Sequence, residues 1–256
     1  MLICNHSSRN IYSCAYCTFL LFHWFCFSSG ISMVNKLSKV SSLKQSYYAL
    51  RHGQSMANVG KIISSDPAIS TVEHGLSEVG VEQAKAAGKS FTSTFCPDTY
   101  AGIAVFSSDF LRARETAGHM VDAIRKEDIP LYQNEVVLET SLRERFFGTF
   151  NGKSDAHYHD VWKFDADDAS HTEFEVESVN SVIQRTTNLI LEVDEKLSSI
   201  GGDKPWKCVM VAHGDVLQIL QTAFLKVDGR IHRSLDHLET ATIRELKLSE
   251  NKNSEL

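Results

Sequence analysis

Two of the three histidines that precede a glycine in this chain stand at strand-like ends: Arg51-His52-Gly53 within LRHGQSMAN, and His213-Gly214 within VAHGD. Each ends an apolar run, the pattern of a buried strand that delivers a polar group to its tip. An imidazole is a competent nucleophile toward phosphorus and splits one hard displacement into two easier ones. Two further segments carry what an anion would need. SSDFLRARETA places Arg112 one turn into a helical stretch, and LRERFFG places Glu144 between Arg143 and Arg145. Arg51 and Arg112 offer planar guanidinium forks that match a phosphoryl group bidentately. Asn58 adds a neutral donor, and a helix beginning after Ser108 adds the positive end of a dipole. Gly53 and Gly214 leave room beside each imidazole for a ligand to approach the backbone. Glu144, crowded by Phe146, Phe147 and cations, is a candidate to hold or release a proton for a leaving oxygen. The residues alone do not choose between His52 and His213 as nucleophile, and nothing in the set needs a metal.

For these groups to meet, the elements must bring strand ends to one edge. The runs SYYAL (46–50), GIAVFSS (102–108), VVLETSL (136–142) and KCVMVAHG (207–214) read as strands, with TATIRELKL (240–248) closing the series. Between them lie helical patterns. One places Leu76, Val79, Ala84, Ala87 and Phe91 on a face, with Ser77 as cap. A second follows Ser108 or Asp109, either of which could cap it. The third has the best periodicity, through Val179, Val182, Ile183, Leu189, Ile190, Val193 and Leu197. This alternation predicts a single-domain α/β sandwich over residues 46–250, its mostly parallel sheet flanked by helices on both faces. Functional groups in such sheets gather at the carboxyl ends of the strands. Residues 148–175 are irregular and acidic, the place for a lid insertion.

Composition narrows the classes. The 256 residues are 43% hydrophobic and 23% charged, within the globular range. A net charge of −6 argues against a nucleic-acid partner, so any anion site is local. Cys4, Cys14, Cys17 and Cys26 crowd the start while only Cys96 and Cys208 lie beyond, which is no disulfide framework and favours a reducing, cytoplasmic setting. The Cys14–Cys17 pair has no zinc-like second pair. Residues 1–45 read as an extension, and 251–256 as a tail. Residues 11–27 are nearly continuous in apolar and aromatic side chains, like a signal core or short anchor, the one route to a membrane or secretory location. The alternative is that the chain proper starts at Met33. His157, His159 and His171 invite a metal reading, but their spacing fits no standard zinc pattern. His232 and His237 read as part of a surface loop or helix end.

The segments LRHGQSMAN, SSDFLRARETA, LRERFFGTFNG and VAHGD, in that order, resemble the signatures of the histidine phosphatase superfamily, in its phosphoglycerate mutase-like branch. HGLSEVGVEQA and ESVNSVIQR are similar to the helices that family carries after its first motif and its lid, so the resemblance spans about residues 46–248. It implies His52 as the nucleophile that becomes phosphohistidine, with no cofactor. Arg51, Arg112 and His213 would hold the phosphoryl oxygens, and Glu144 would serve as proton donor and then as base. Gly53, Gln54, Ser55, Asn58, Arg145 and Gly214 would line the substrate pocket. The implied partner is a small-molecule phosphomonoester or a phosphoprotein. The family's mutases keep a second phosphate with extra cations near the lid. Here residues 151–178 carry eight acids and only two lysines. That balance favours phosphomonoester hydrolysis over the mutase reaction. A non-catalytic phospho-ligand module is the reading from another class.

Overall fold

Strands β2 (Gly102–Ser107) and β4 (Trp206–Ala212) are almost wholly buried, as strands covered on two sides must be, and β1 (Ser46–Arg51) is buried at Tyr47, Ala49 and Leu50. In the computed structural model, which describes residues 34–200 and 202–250, they join β3 (Val137–Leu138) and β5 (Ile243–Leu246) in one five-stranded sheet of order β3-β2-β4-β1-β5. Every pairing is parallel except that of β5, which runs antiparallel to β1.

The pleat divides the strand residues between two cores. Tyr47, Ala49, Phe106, Cys208 and Met210 face one side. There they meet α6 (Val179–Ile200) and α7 (Gly214–Leu225) through Val182, Leu189, Val193, Leu217 and Leu220. Leu50, Ile103, Val105, Val209 and Val211 face the other, against α3 (Glu78–Thr92) and α4 (Leu111–Lys126) through Phe91, Ala117, Met120 and Ile124. The shorter helices α1 (Met56–Gly60), α2 (Pro67–Ser70) and α5 (Tyr158–Asp167) sit toward the carboxyl edge of the sheet. Ser77 caps α3 as expected, its hydroxyl accepting from Gly80 N.

Three local expectations need correction. The run 136–142 pairs only at Val137 and Leu138. After Glu139 N donates to Ser107 O, Thr140–Leu142 turns and carries Glu144 across the sheet edge. Neither Ser108 nor Asp109 caps α4: Phe110 holds the cap position, and Asp109 is bound to Arg143 at 2.6 and 2.8 Å. Residues 148–175 are not irregular throughout. They contain α5 and close a third core of Ile63, Phe147, Phe150, Val161 and Val176. Residues before β1 pack onto the domain: Leu37 is fully buried and Asn35 Nδ2 donates to Ala223 O at 3.1 Å. The apolar stretch 11–27, the Cys14–Cys17 pair, the Met33 start and the tail 251–256 lie outside the described residues. Among the described residues no helix is long and apolar enough to cross a membrane.

Candidate active site

β1 and β4 are neighbours in register, with Arg51 opposite Ala212. Their next residues therefore meet: His52 N donates to Ala212 O at 3.0 Å, and the His52 and His213 ring centroids lie 5.2 Å apart. His52 Nδ1 is 2.7 Å from Gly53 O. A carbonyl only accepts, so Nδ1 carries the proton and Nε2 carries the lone pair. That lone pair accepts from Arg112 Nε at 3.3 Å. Burial, then the charges of Arg112 and Arg51, hold the His52 pKa well below its ordinary value, so the ring is neutral. His213 is fully buried beside His52. Ser108 Oγ already accepts the Phe110 N–H at 3.2 Å and is set to donate to His213 Nε2 at 3.0 Å, which places the His213 proton on Nδ1.

The cations are aimed by the backbone. Arg112 Nη2 donates to Ser64 O at 2.8 Å. Arg51 Nη1 donates to Leu238 O and to His237 Nε2, both at 2.8 Å. Around the His52 ring, Arg51 Nε, Arg112 Nη1 and His213 Nδ1 are buried with no partner within the protein. Buried donors are nearly always satisfied, so three on facing side chains fit an anion with several oxygens. The cleft beside them encloses about 150 Å³ and is lined by Arg51, His52, Ser55, Asn58, Arg112 and Glu144 among others. Ser55 and Asn58 form a reciprocal cap at the start of α1, which uses Asn58 Oδ1 and leaves its Nδ2 as the donor for the cleft.

Glu144 pairs with neither flanking arginine. Its Oε1 accepts the backbone N–H of Arg145 at 3.0 Å. Burial, with the nearby Asp215 carboxylate, lifts its pKa to about 7 against the pull of Arg112 and Arg51. A carboxyl poised near neutrality can give and take a proton.

Three expected pocket residues do not line the cleft. Arg145 is fully buried, bidentate to Asp165 at 2.7 Å on each arm and 3.3 Å from Asp215. Its charge is spent inside the protein. Gln54 fastens α3, with N donating to Gln83 Oε1 at 2.9 Å and Oε1 accepting from Ser77 Oγ at 2.8 Å. Gly53 makes room for the chain itself: an added Cβ would stand 2.5 Å from Gly80 O. Gly53→Ala should therefore cost about 1–3 kcal/mol of stability, read as a lowered Tm, with activity falling as the loop shifts. Gly214 is a lining residue; a Cβ there would stand 3.3 Å from the Arg51 guanidinium.

The structure also supplies residues that motif reading missed. Tyr158 and Trp162, one turn apart on α5, reach the cleft from above and stack at 5.4 Å. Arg233 covers the Trp162 ring at 3.7 Å, and His237 holds Arg51 from the opposite wall. His232 is thus not a surface residue but fully buried, whereas His237 is exposed at the edge of the cleft. Aromatic spacing of one turn was the available signal for α5. Arg233 lies within Gly229–Ser234 and His237 just beyond it, a stretch with no periodicity to read. Among the described residues no group of three or more His, Cys, Asp or Glu is arranged to hold a metal ion. His157 is bonded to Asp160 and His171 to Asp165, while His159 packs edge-on to Trp162.

Comparison with known proteins agrees with this architecture. No curated protein matches the chain in sequence. A mycobacterial glucosyl-3-phosphoglycerate phosphatase, solved with VO3, is similar at 25% identity and a TM-score of 0.62 over 78% of this chain and 90% of that one. A phosphoglycerate mutase from Bacillus anthracis shares the fold at 20% identity and a TM-score of 0.59, over 80% of this chain and 88% of that one. A putative alpha-ribazole-5'-P phosphatase from Escherichia coli does so at 20% identity and 0.54, over 78% and 88%. The family model for the histidine phosphatase superfamily (branch 1) matches residues 47–255, nearly all of the chain that the motifs span, and the chain belongs to that superfamily.

Proposed function

We propose that the chain is a metal-independent phosphomonoester hydrolase that works through a phosphohistidine on His52. The observation that carries this reading is the His52 tautomer: Nδ1 is tied to Gly53 O, leaving Nε2 as a neutral lone pair beside two arginine forks. In the first step Nε2 attacks phosphorus as the P–O bond to the leaving group breaks. The leaving oxygen takes its electron pair and the Glu144 proton. In the second, water gives a proton to the Glu144 carboxylate and attacks phosphorus, and the P–N electrons return to Nε2. Arg51, Arg112 and His213 Nδ1 donate to the phosphoryl oxygens, and their charge grows in value as negative charge spreads in the transition state. The guanidinium pair supplies the charge compensation that a cation would otherwise bring.

Hydrolysis is preferred to the mutase reaction because a retained second phosphate needs further free cations. Arg233, the additional cation at the mouth, lies 3.7 Å from Asp215, and residues 151–178 are acidic. Small-molecule phosphomonoesters or phosphoproteins are the substrates this cleft would take, with the protein acting in the cytoplasm. The test is phosphate release from an aryl phosphate with excess chelator present. Undiminished turnover is expected, and loss of turnover restored by a divalent ion would overturn the metal-free mechanism. With 3-phosphoglycerate and a bisphosphoglycerate primer, no 2-phosphoglycerate should form.

A further inference from the structure

Asp215 opens α7 directly after His213 and Gly214, and its buried carboxylate joins elements that the phosphoryl chemistry does not itself require. Oδ1 accepts from Trp162 Nε1 of α5 at 3.0 Å, and Oδ2 accepts from Arg145 Nη1 at 3.3 Å. His232 Nε2 and Arg233 Nη1 stand 3.5 and 3.7 Å from Oδ1. Arg145 in turn is bonded to Asp165 of α5, and its backbone N–H holds Glu144. Asp215 and Glu144 line the same cleft.

We propose that Asp215 is a positioning residue for proton transfer: its fixed negative charge keeps the proton on Glu144, while its bonds fasten α5 over that acid. The inference rests on the reading of Glu144 as proton donor.

The charges around Glu144 show why such a residue is needed. Arg51 at the end of β1 and Arg112 on α4 both pull its proton away. Tyr158 on α5 is held neutral by burial and by the Glu144 charge. Arg145 contributes a donor from its backbone, while its guanidinium is taken up by Asp165 and Asp215. Arg233 adds a partly exposed cation. Among these groups Asp215 is the carboxylate that acts on Glu144, and it opposes the two arginines that the phosphate clamp demands. It can stay charged in the interior despite the cost of burial because His232, Arg145 and Arg233 surround it and hold its carboxyl well below the usual carboxylate range. The clamp and the acid make conflicting demands on one small volume, and a caged carboxylate reconciles them.

The experiment compares kcat/KM against pH for wild type and Asp215→Asn, on an alkyl phosphate and on an aryl phosphate with a good leaving group. The alkyl ester needs the proton and the aryl ester does not. For the alkyl ester the alkaline limb should move down by about one pH unit, with a loss of about tenfold above neutrality, while the aryl ester loses much less. Asp215→Glu, which keeps the charge, should restore the limb. Equal loss on both esters with an unmoved limb would reduce Asp215 to a structural clasp and overturn the proposal. If the Asn variant does not fold, Arg233→Gln serves instead. Removing a cation beside Asp215 should move the limb upward, and an unmoved or lowered limb overturns the proposal. Trapping label on His52 of the wild-type protein separates the two failures. No label sinks the phosphohistidine reading itself, whereas label with an unmoved limb sinks only the role of Asp215.

Discussion

His52→Ala should abolish phosphate release, with kcat/KM falling on the order of 10⁴-fold or more, and should eliminate covalent labelling by a phosphorylated substrate quenched in alkaline denaturant. The size of the effect follows from the geometry. His52 Nε2 carries the lone pair beside the arginine donors, while His213 Nε2 is occupied by Ser108 Oγ and its Nδ1 is a donor. No second nucleophile can take over from that position. His213→Ala should therefore slow turnover yet leave the label on His52. Label that persists in the His52 variant and disappears in the His213 variant would reverse the assignment. Folding should survive both, because the bonds lost are side-chain ones to Gly53, Arg112 and Ser108 rather than those of the sheet.

Glu144→Gln should lower kcat/KM for alkyl phosphates by about 10² to 10⁴-fold, with a much smaller loss for aryl esters whose leaving groups depart unprotonated. The wild-type pH profile follows from two directions of shift. Glu144 must hold a proton, so kcat/KM should fall as pH rises through about 7. His52 must be neutral, and its pKa lies well below its ordinary 6.5, so the acidic limb should fall well on the acid side of that value. The Gln variant should lose the alkaline limb on alkyl esters. Stability moves the other way. The folded chain binds the Glu144 proton more tightly than the unfolded chain, whose ordinary value is 4.5. Stability from this group is thus present at low pH and is lost as pH rises from 4.5 through about 7, a loss of about 3 kcal/mol. Glu144→Gln escapes that loss, so thermal melts at pH 8 should show it more stable than wild type. A Tm below wild type at pH 8 would mean that the carboxylate is better solvated than its burial implies.

The strands that lead to the candidate site were legible because buried parallel strands must be apolar throughout and must end where polar residues begin. That is why Arg51, His52, Arg112, Glu144 and His213 could be placed at one edge before any coordinates. What failed to show was whatever depends on packing between distant segments. Gly53 looks like space for a ligand until Gly80 O is found against it. Arg145 looks like a phosphate contact until Asp165 and Asp215 are seen to absorb its charge. His237 has no signal of its own, since its meaning comes from Arg51, 186 residues away. Residues 148–175 read as a lid by composition, but their aromatic anchors on Ile63 and Val176 emerge only from tertiary contact.

The strand order has a consequence for how the chain comes to be folded. β1 and β2 do not touch each other; each pairs with β4, which lies between them although it is fourth in the sequence. During synthesis, residues 46–51 and 102–107 must wait, apolar on both faces, until residues 206–212 have left the ribosome. Two of the three long strands therefore lack their β4 partner for much of translation and expose an unpaired edge, the condition under which chains aggregate or recruit chaperones. The long loops that close around β4 also predict slow folding for a domain of this size. The same late strand brings His213 beside His52, so a truncated chain that stops short of it gains neither the sheet nor the site.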